Sequence, residues 1–148
     1  RRLLNNGVHY VNIAGAGGTN WLLVESYRKQ EGSVAREFDS WGLPTALVQA
    51  VVGRQDGRIL SSGGIRFCSE IAKSVALGAS MAGLALPFVR ELNKNGYEGV
   101  LEYISRLEQG LKISMAGAKN LKSLADKPLL FDHSFQATVH QLRKIEGF

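Results

Sequence analysis

The chain has 148 residues, 45% hydrophobic and 21% charged, with a formal charge of +5; this suits one globular domain and excludes a disordered chain. No apolar run approaches the roughly 20 residues that a bilayer crossing needs, and the polar start Arg1-Arg2-Leu3-Leu4-Asn5-Asn6 is too short for a signal peptide. The expectation is a cytoplasmic location with no membrane partner. Lysine and arginine are scattered without interleaved aromatics, so no nucleic-acid partner is expected, and the lone Cys68 excludes an internal disulfide or a cysteine-based zinc site.

Arg1 to Asn6 reads as the end of a helix closed by Gly7, followed by a short strand carrying Val8, Tyr10-Val11 and Ile13. The stretch from Gly15 to Ser40 is rich in Gly, Ser and charge and is long for a plain connection; within it Trp21 to Arg28 has the pattern of a short helix. Pro44 suits a first helical turn, and Leu43, Leu47 and Ala50-Val51 recur at helical spacing until Gly53. A second unit repeats the first. Arg58 to Ser62 is a strand, Gly63-Gly64 a turn, and Phe67 to Leu77 a helix with Ile71, Ala72 and Val75 on one side, capped by Gly78.

A third strand is expected from Ser80 to Leu84, with Pro87 starting a helix whose Phe88, Leu92 and Val89 point inward. Tyr97 to Ala118 predicts the longest helix, through Val100-Leu101, Ile104, Leu107, Leu111 and Met115. A short helix over Asn120 to Ala125 and a terminal one over Phe135 to Ile145 complete the chain. Strands alternating with helices predict an α/β fold with a parallel sheet and right-handed crossovers. Three strands beside so much helix predict the C-terminal part of a (β/α)8 TIM barrel, whose active site lies on the loops after the strands.

Two glycine pairs, Gly17-Gly18 and Gly63-Gly64, each follow a strand and precede a helix. A backbone without side chains can approach a phosphate closely, and the N–H groups at the next helix start supply hydrogen bonds. Taken singly, such a pair is more often a tight turn than a phosphate loop. Both pairs in register with a third turn, Gly83 to Pro87, favour the phosphate reading. His9, His133 and His140 show no metal spacing, and Trp41 reads as a packing residue. Glu25 and Arg28 are three apart and suited to pairing across a helical turn, while Lys73 is expected to face solvent.

The strings Asn12-Ile13-Ala14-Gly15-Ala16-Gly17-Gly18-Thr19-Asn20-Trp21, Trp41-Gly42-Leu43-Pro44-Thr45, Ser62-Gly63-Gly64-Ile65-Arg66 and Ala72 to Ala79 resemble, in order, the C-terminal half of type 2 isopentenyl-diphosphate isomerases. Gly-Gly-Ile-Arg followed by Ala-Leu-Gly-Ala is shared by many FMN-dependent barrels. Gly-Gly-Thr-Asn-Trp with Glu25 and the Trp-Gly-x-x-Thr string narrows the resemblance.

The resemblance implies an enzyme that interconverts isopentenyl and dimethylallyl diphosphate, with reduced FMN as the acid/base, Mg²⁺ at the diphosphate and NAD(P)H as flavin reductant, working as a homo-oligomer. It places Thr19 beside the flavin and puts Gly63, Gly64 and Ile65 on the FMN phosphate. Leu84 and Ala85 form the second phosphate turn, and Trp21 lies on the substrate side. Groups for the substrate diphosphate and the metal lie on earlier strands of the family, so the chain is expected to need a missing N-terminal half and to be inactive alone. Two other readings are another FMN barrel of the hydroxy-acid oxidase type and a catalytically silent half-barrel. The first is weakened because no histidine precedes either glycine pair in the required way.

Overall fold

A computed structural model describes residues 2–29 and 32–145. The chain opens with α1 (Arg2–Asn5), whose Leu4 is buried, and turns at Gly7 into β1 (Val11–Ala14). The strand begins later than Val8 because Val8 to Tyr10 lie exposed, and the ladder to the next strand starts only at Val11. The following segment holds α2 (Trp21–Lys29), as its pattern predicts, and also α3 (Gly32–Glu37), which was expected to be loop. Arg28 and Lys29 both reach Glu25, at 3.4 and 3.8 Å, so the expected pair across one helical turn is present.

α4 (Thr45–Val52) runs from extended Pro44 to Gly53 and buries Leu47, Ala50 and Val51. A 3-10 turn, Gln55–Gly57, leads into β2 (Ile59–Ser62), and α5 (Cys68–Ala76) follows with Ile71 and Val75 buried. β3 (Met81–Ala82) is shorter than Ser80 to Leu84, although Ser80 donates to the Ile59 carbonyl at 2.8 Å and Gly83 to the Ser61 carbonyl at 2.7 Å. The parallel bonding pattern thus spans more of this segment than the paired residues themselves.

α6 (Leu86–Ser114) covers both helices predicted there, and Gly96 breaks it with φ +66° and ψ −160°. Phe88 packs inward, edge-on to the buried Tyr103 with ring centroids 5.2 Å apart. Val89 and Leu92, expected inside, are exposed. A second 3-10 turn, Leu121–Asp126, precedes α7 (His133–Lys144), which starts two residues before the predicted helix because Asp132 accepts from the Phe135 N–H at 2.9 Å. Tail residues beyond 145 lie outside the described residues.

The three strands form one parallel sheet in the order β1-β2-β3, with Val11 opposite Ile59, Ala14 opposite Ser62 and Leu60 opposite Met81. Leu4, Ile13 and Ile59 make the core cluster, with Val11, Val48 and Val52 packed against it. β2 is central, and its Ile59 and Ser61 are almost wholly buried, as a parallel strand covered by helices should be. All three strands point the same way, so the loops that follow them share one edge of the sheet. Open α/β sheets bind ligands outside the carboxyl ends of their strands.

Candidate functional site

Two loops interlock at that edge, backbone against backbone. A Cβ on Gly63 would lie 2.7 Å from the Gly15 carbonyl oxygen, one on Gly64 2.9 Å from the Gly17 carbonyl oxygen, and one on Gly18 2.8 Å from the Gly63 Cα. Gly63 and Gly64 also have φ of +93° and +84°, in the left-handed region that glycine occupies without strain. Glycine is therefore required here by the loop contact itself, whatever binds. The glycine pattern alone does not distinguish a tight turn from an anion loop.

The hydrogen bonds add a second observation. Among the described residues, no acceptor takes the backbone N–H of Gly63, Gly64, Ile65, Leu84 or Ala85. The residues that carry these donors all line one cleft, where an acceptor could meet them. The N–H groups of Arg66 and Phe67 are different: both donate to the Glu70 carboxylate, at 2.6 and 3.1 Å. That carboxylate occupies the start of α5. Tyr103 Oη donates to the Arg66 carbonyl and ties the same loop to α6, and burial pushes its phenol above the ordinary tyrosine range.

The cleft above these loops has a volume of about 560 Å³. Thr19, Trp21, Gly63, Gly64, Ile65, Leu84 and Ala85 all line it, so the structure brings together every site residue named from the sequence. Trp21 is 75% exposed, which leaves its ring free to cover a bound molecule. Arg66 is the one charged residue among the described residues that line it, and the Glu70 carboxylate sits beside it on the Arg66 N–H. Backbone N–H donors without acceptors and one basic residue on the lining suit an anion.

Sequence reasoning assigned no roles to Arg66, Asn12 or Ser62, although the quoted strings contain all three. Ser62 Oγ donates to Asn12 Oδ1 at 3.0 Å across the strand ends, and both residues line the cleft. Thr45 was likewise quoted without a role; its hydroxyl lies behind the glycine turn, 3.0 Å from the Ser62 carbonyl and 2.6 Å from that of Gly63.

Residues read as structural fall elsewhere. Trp41 is exposed rather than packed in the core, with an edge-on contact to Phe38 at 4.9 Å. Lys73 faces solvent, and Cys68 packs against Gly110 of α6, which leaves no room there for a side chain. His133 and His140 line a larger cleft of about 700 Å³ between α7 and the α4–α5 layer. Its arginines are engaged, Arg143 with the Ala50 carbonyl at 2.7 Å and Arg54 with Asp126 at 3.2 Å. Among the described residues no three His, Cys, Asp or Glu side chains gather as a metal site, and no helix is long and apolar enough to cross a membrane.

A family model for FMN-dependent dehydrogenases matches residues 1–130. The chain belongs to that family. Among curated relatives, the isopentenyl-diphosphate delta-isomerase of Methanothrix thermoacetophila is 34% identical over 138 residues, covering 88% of this chain and 38% of its own length. The isopentenyl-diphosphate delta-isomerase of Bdellovibrio bacteriovorus is 38% identical, with 88% and 40% covered. That of Methanothermobacter thermautotrophicus is 39% identical, with 84% and 36% covered. The chain thus spans well under half the length of these relatives. A solved structure of a mutant flavocytochrome b2 with benzoylformate aligns at a TM-score of 0.46 and 21% identity, covering 73% of this chain and 32% of that one.

Proposed function

We propose that this chain is the C-terminal, phosphate-gripping portion of an FMN-dependent (β/α) barrel that interconverts isopentenyl and dimethylallyl diphosphate. The observation that carries the reading is that Gly63, Gly64, Ile65, Leu84 and Ala85, whose N–H groups have no acceptor among the described residues, line one cleft together with Arg66. These donors fit a phosphate monoester such as that of FMN, and side chains at Gly63 or Gly64 would fill the space between the interlocked loops. The reaction is suggested by relatives bearing the isomerase name over 84–88% of this chain.

The single sheet with a short β3 at its edge, and the exposed Leu86, Val89, Leu92 and Leu101 on α6, support a larger barrel in which further strands and helices cover these surfaces. When bound and reduced, the flavin supplies proton transfer to and from an alkene that ordinary side chains protonate poorly. The loop N–H groups would hold its phosphate, and the Thr19 hydroxyl would hydrogen-bond the ring system. Trp21 would cover the substrate side, where its aromatic face would shield developing positive charge and exclude water. Among the described residues no three His, Cys, Asp or Glu side chains gather, and no step is assigned to Mg²⁺. Among the described residues that line this cleft there is no histidine of the kind the hydroxy-acid oxidase alternative would use.

The test is isomerisation of isopentenyl diphosphate in D₂O by the full protein with reduced FMN. The reading predicts dimethylallyl diphosphate carrying deuterium, and no turnover by the 148-residue chain alone. Oxidation of a 2-hydroxy acid without isomerisation would contradict it.

A further inference from the structure

We infer that Thr45 is the positioning residue of the anion cradle, its hydroxyl turning successive peptide planes of the Gly63-Gly64 turn so that their N–H groups face the cleft; this rests on the phosphate reading above. Thr45 is the first residue of α4 and is buried, and extended Pro44 ahead of it makes no side-chain cap. The start of α4 is fixed in place, since Ala16 N–H donates to the Leu43 carbonyl at 2.8 Å and Ala16 pairs with Pro44 in a parallel bridge. From that fixed point the Thr45 hydroxyl reaches forward to the Ser62 carbonyl at 3.0 Å and the Gly63 carbonyl at 2.6 Å.

Every peptide bond described is trans, and in a trans peptide the C=O and the following N–H point in opposite directions. Drawing the Ser62 and Gly63 carbonyls towards α4 turns the N–H groups of Gly63 and Gly64 away from it. These are the adjacent donors that find no acceptor within the described chain. Because both residues are glycines, the turn adopts positive φ without side-chain strain. One hydroxyl proton then selects the orientation that presents two N–H groups to an anion.

The test compares affinities for FMN and riboflavin, which differ by the phosphate alone, by flavin fluorescence titration of the full protein and its Thr45→Val, Thr45→Ala and Thr45→Ser variants. Thr45→Val and Thr45→Ala should lower the FMN-to-riboflavin affinity ratio about tenfold, as expected when one charge-assisted hydrogen bond is weakened. Riboflavin affinity should hold, and Thr45→Ser should keep the original ratio. If the valine variant does not fold, the alanine and serine variants decide. A preference for FMN unchanged in Thr45→Ala, equal weakening of both flavins, or loss of the ratio in Thr45→Ser would overturn the role of Thr45. Equal affinity of the unsubstituted protein for FMN and riboflavin would instead overturn the phosphate reading, and this inference with it.

Discussion

Replacing Gly64 with alanine separates the two demands that the glycine turn meets. The added Cβ would lie 2.9 Å from the Gly17 carbonyl oxygen and 3.0 Å from its carbon, both backbone atoms with no flexible side chain to yield. Left-handed φ costs an alanine about 1–2 kcal/mol, and forcing a methyl group against fixed atoms adds about 1–3 kcal/mol. Gly57 provides an internal reference, with φ +74° and nothing within 4 Å of its Cβ position, so Gly57→Ala carries only the first penalty. In urea unfolding Gly64→Ala should therefore be about 1–3 kcal/mol less stable than Gly57→Ala. Relief of the clash moves the turn off Gly17 and displaces its N–H groups, so FMN affinity should fall about 10- to 100-fold, the worth of one hydrogen bond to a charged group. Gly57→Ala should bind FMN as the unsubstituted protein does. Equal stability of the two variants together with unchanged FMN affinity in Gly64→Ala would refute the reasoning.

Ile59→Ala empties a position only 2% exposed in the core cluster and should cost about 2–5 kcal/mol in denaturant unfolding; a loss under 1 kcal/mol would mean that the cluster does not hold the sheet. Tyr103→Phe removes the donor to the Arg66 carbonyl and should cost about 1–3 kcal/mol. Because burial raises the Tyr103 pKa, the unfolded chain ionises first at alkaline pH. This contribution is complete below the ordinary tyrosine value of about 10 and is lost as pH rises through the raised folded value. Unfolding curves at pH 8 and pH 11 should show a smaller alkaline loss in Tyr103→Phe, and identical losses would contradict this. Asp132 behaves oppositely, since hydrogen bonds from Ser134 Oγ and the Phe135 N–H hold its carboxyl below the usual carboxylate range. Its support for α7 is present above the ordinary carboxylate range and is lost as pH falls through the depressed value. In Asp132→Asn, amide exchange in α7 should lose that acid dependence.

Much of this arrangement was legible because periodicity and punctuation agreed. Pro44 and Gly53 bracket α4, and Ile71 and Val75 mark the buried face of α5. The glycine pairs and the third turn pointed to the loop edge, and the family resemblance named the seven site residues that line one cleft there. What was missed depends on contacts between distant segments. Val89 and Leu92 sit at inward-looking spacing, yet no described element covers them. α3 lacks the strong apolar period that would have announced it. Thr45 stands 17 residues from Ser62 in sequence, so its hydrogen bond to that carbonyl could not be read from local pattern. The steric reason for the glycines was also hidden, because it arises only when the Gly15–Gly18 and Gly63–Gly64 loops meet. Unpaired N–H groups leave no trace in residue type at all. Leu84 and Ala85 were therefore placed through family resemblance, and their open donors became visible only in the fold.

A crystal structure of the full protein grown with FMN tests the central claim most directly. The account predicts phosphate oxygens within about 2.7–3.2 Å of the backbone nitrogens of the Gly63–Ile65 turn and the Leu84-Ala85 turn, with Arg66 beside them. A flavin phosphate seated elsewhere, for instance in the cleft lined by His133 and His140, with the glycine turn left without an anion, would contradict it.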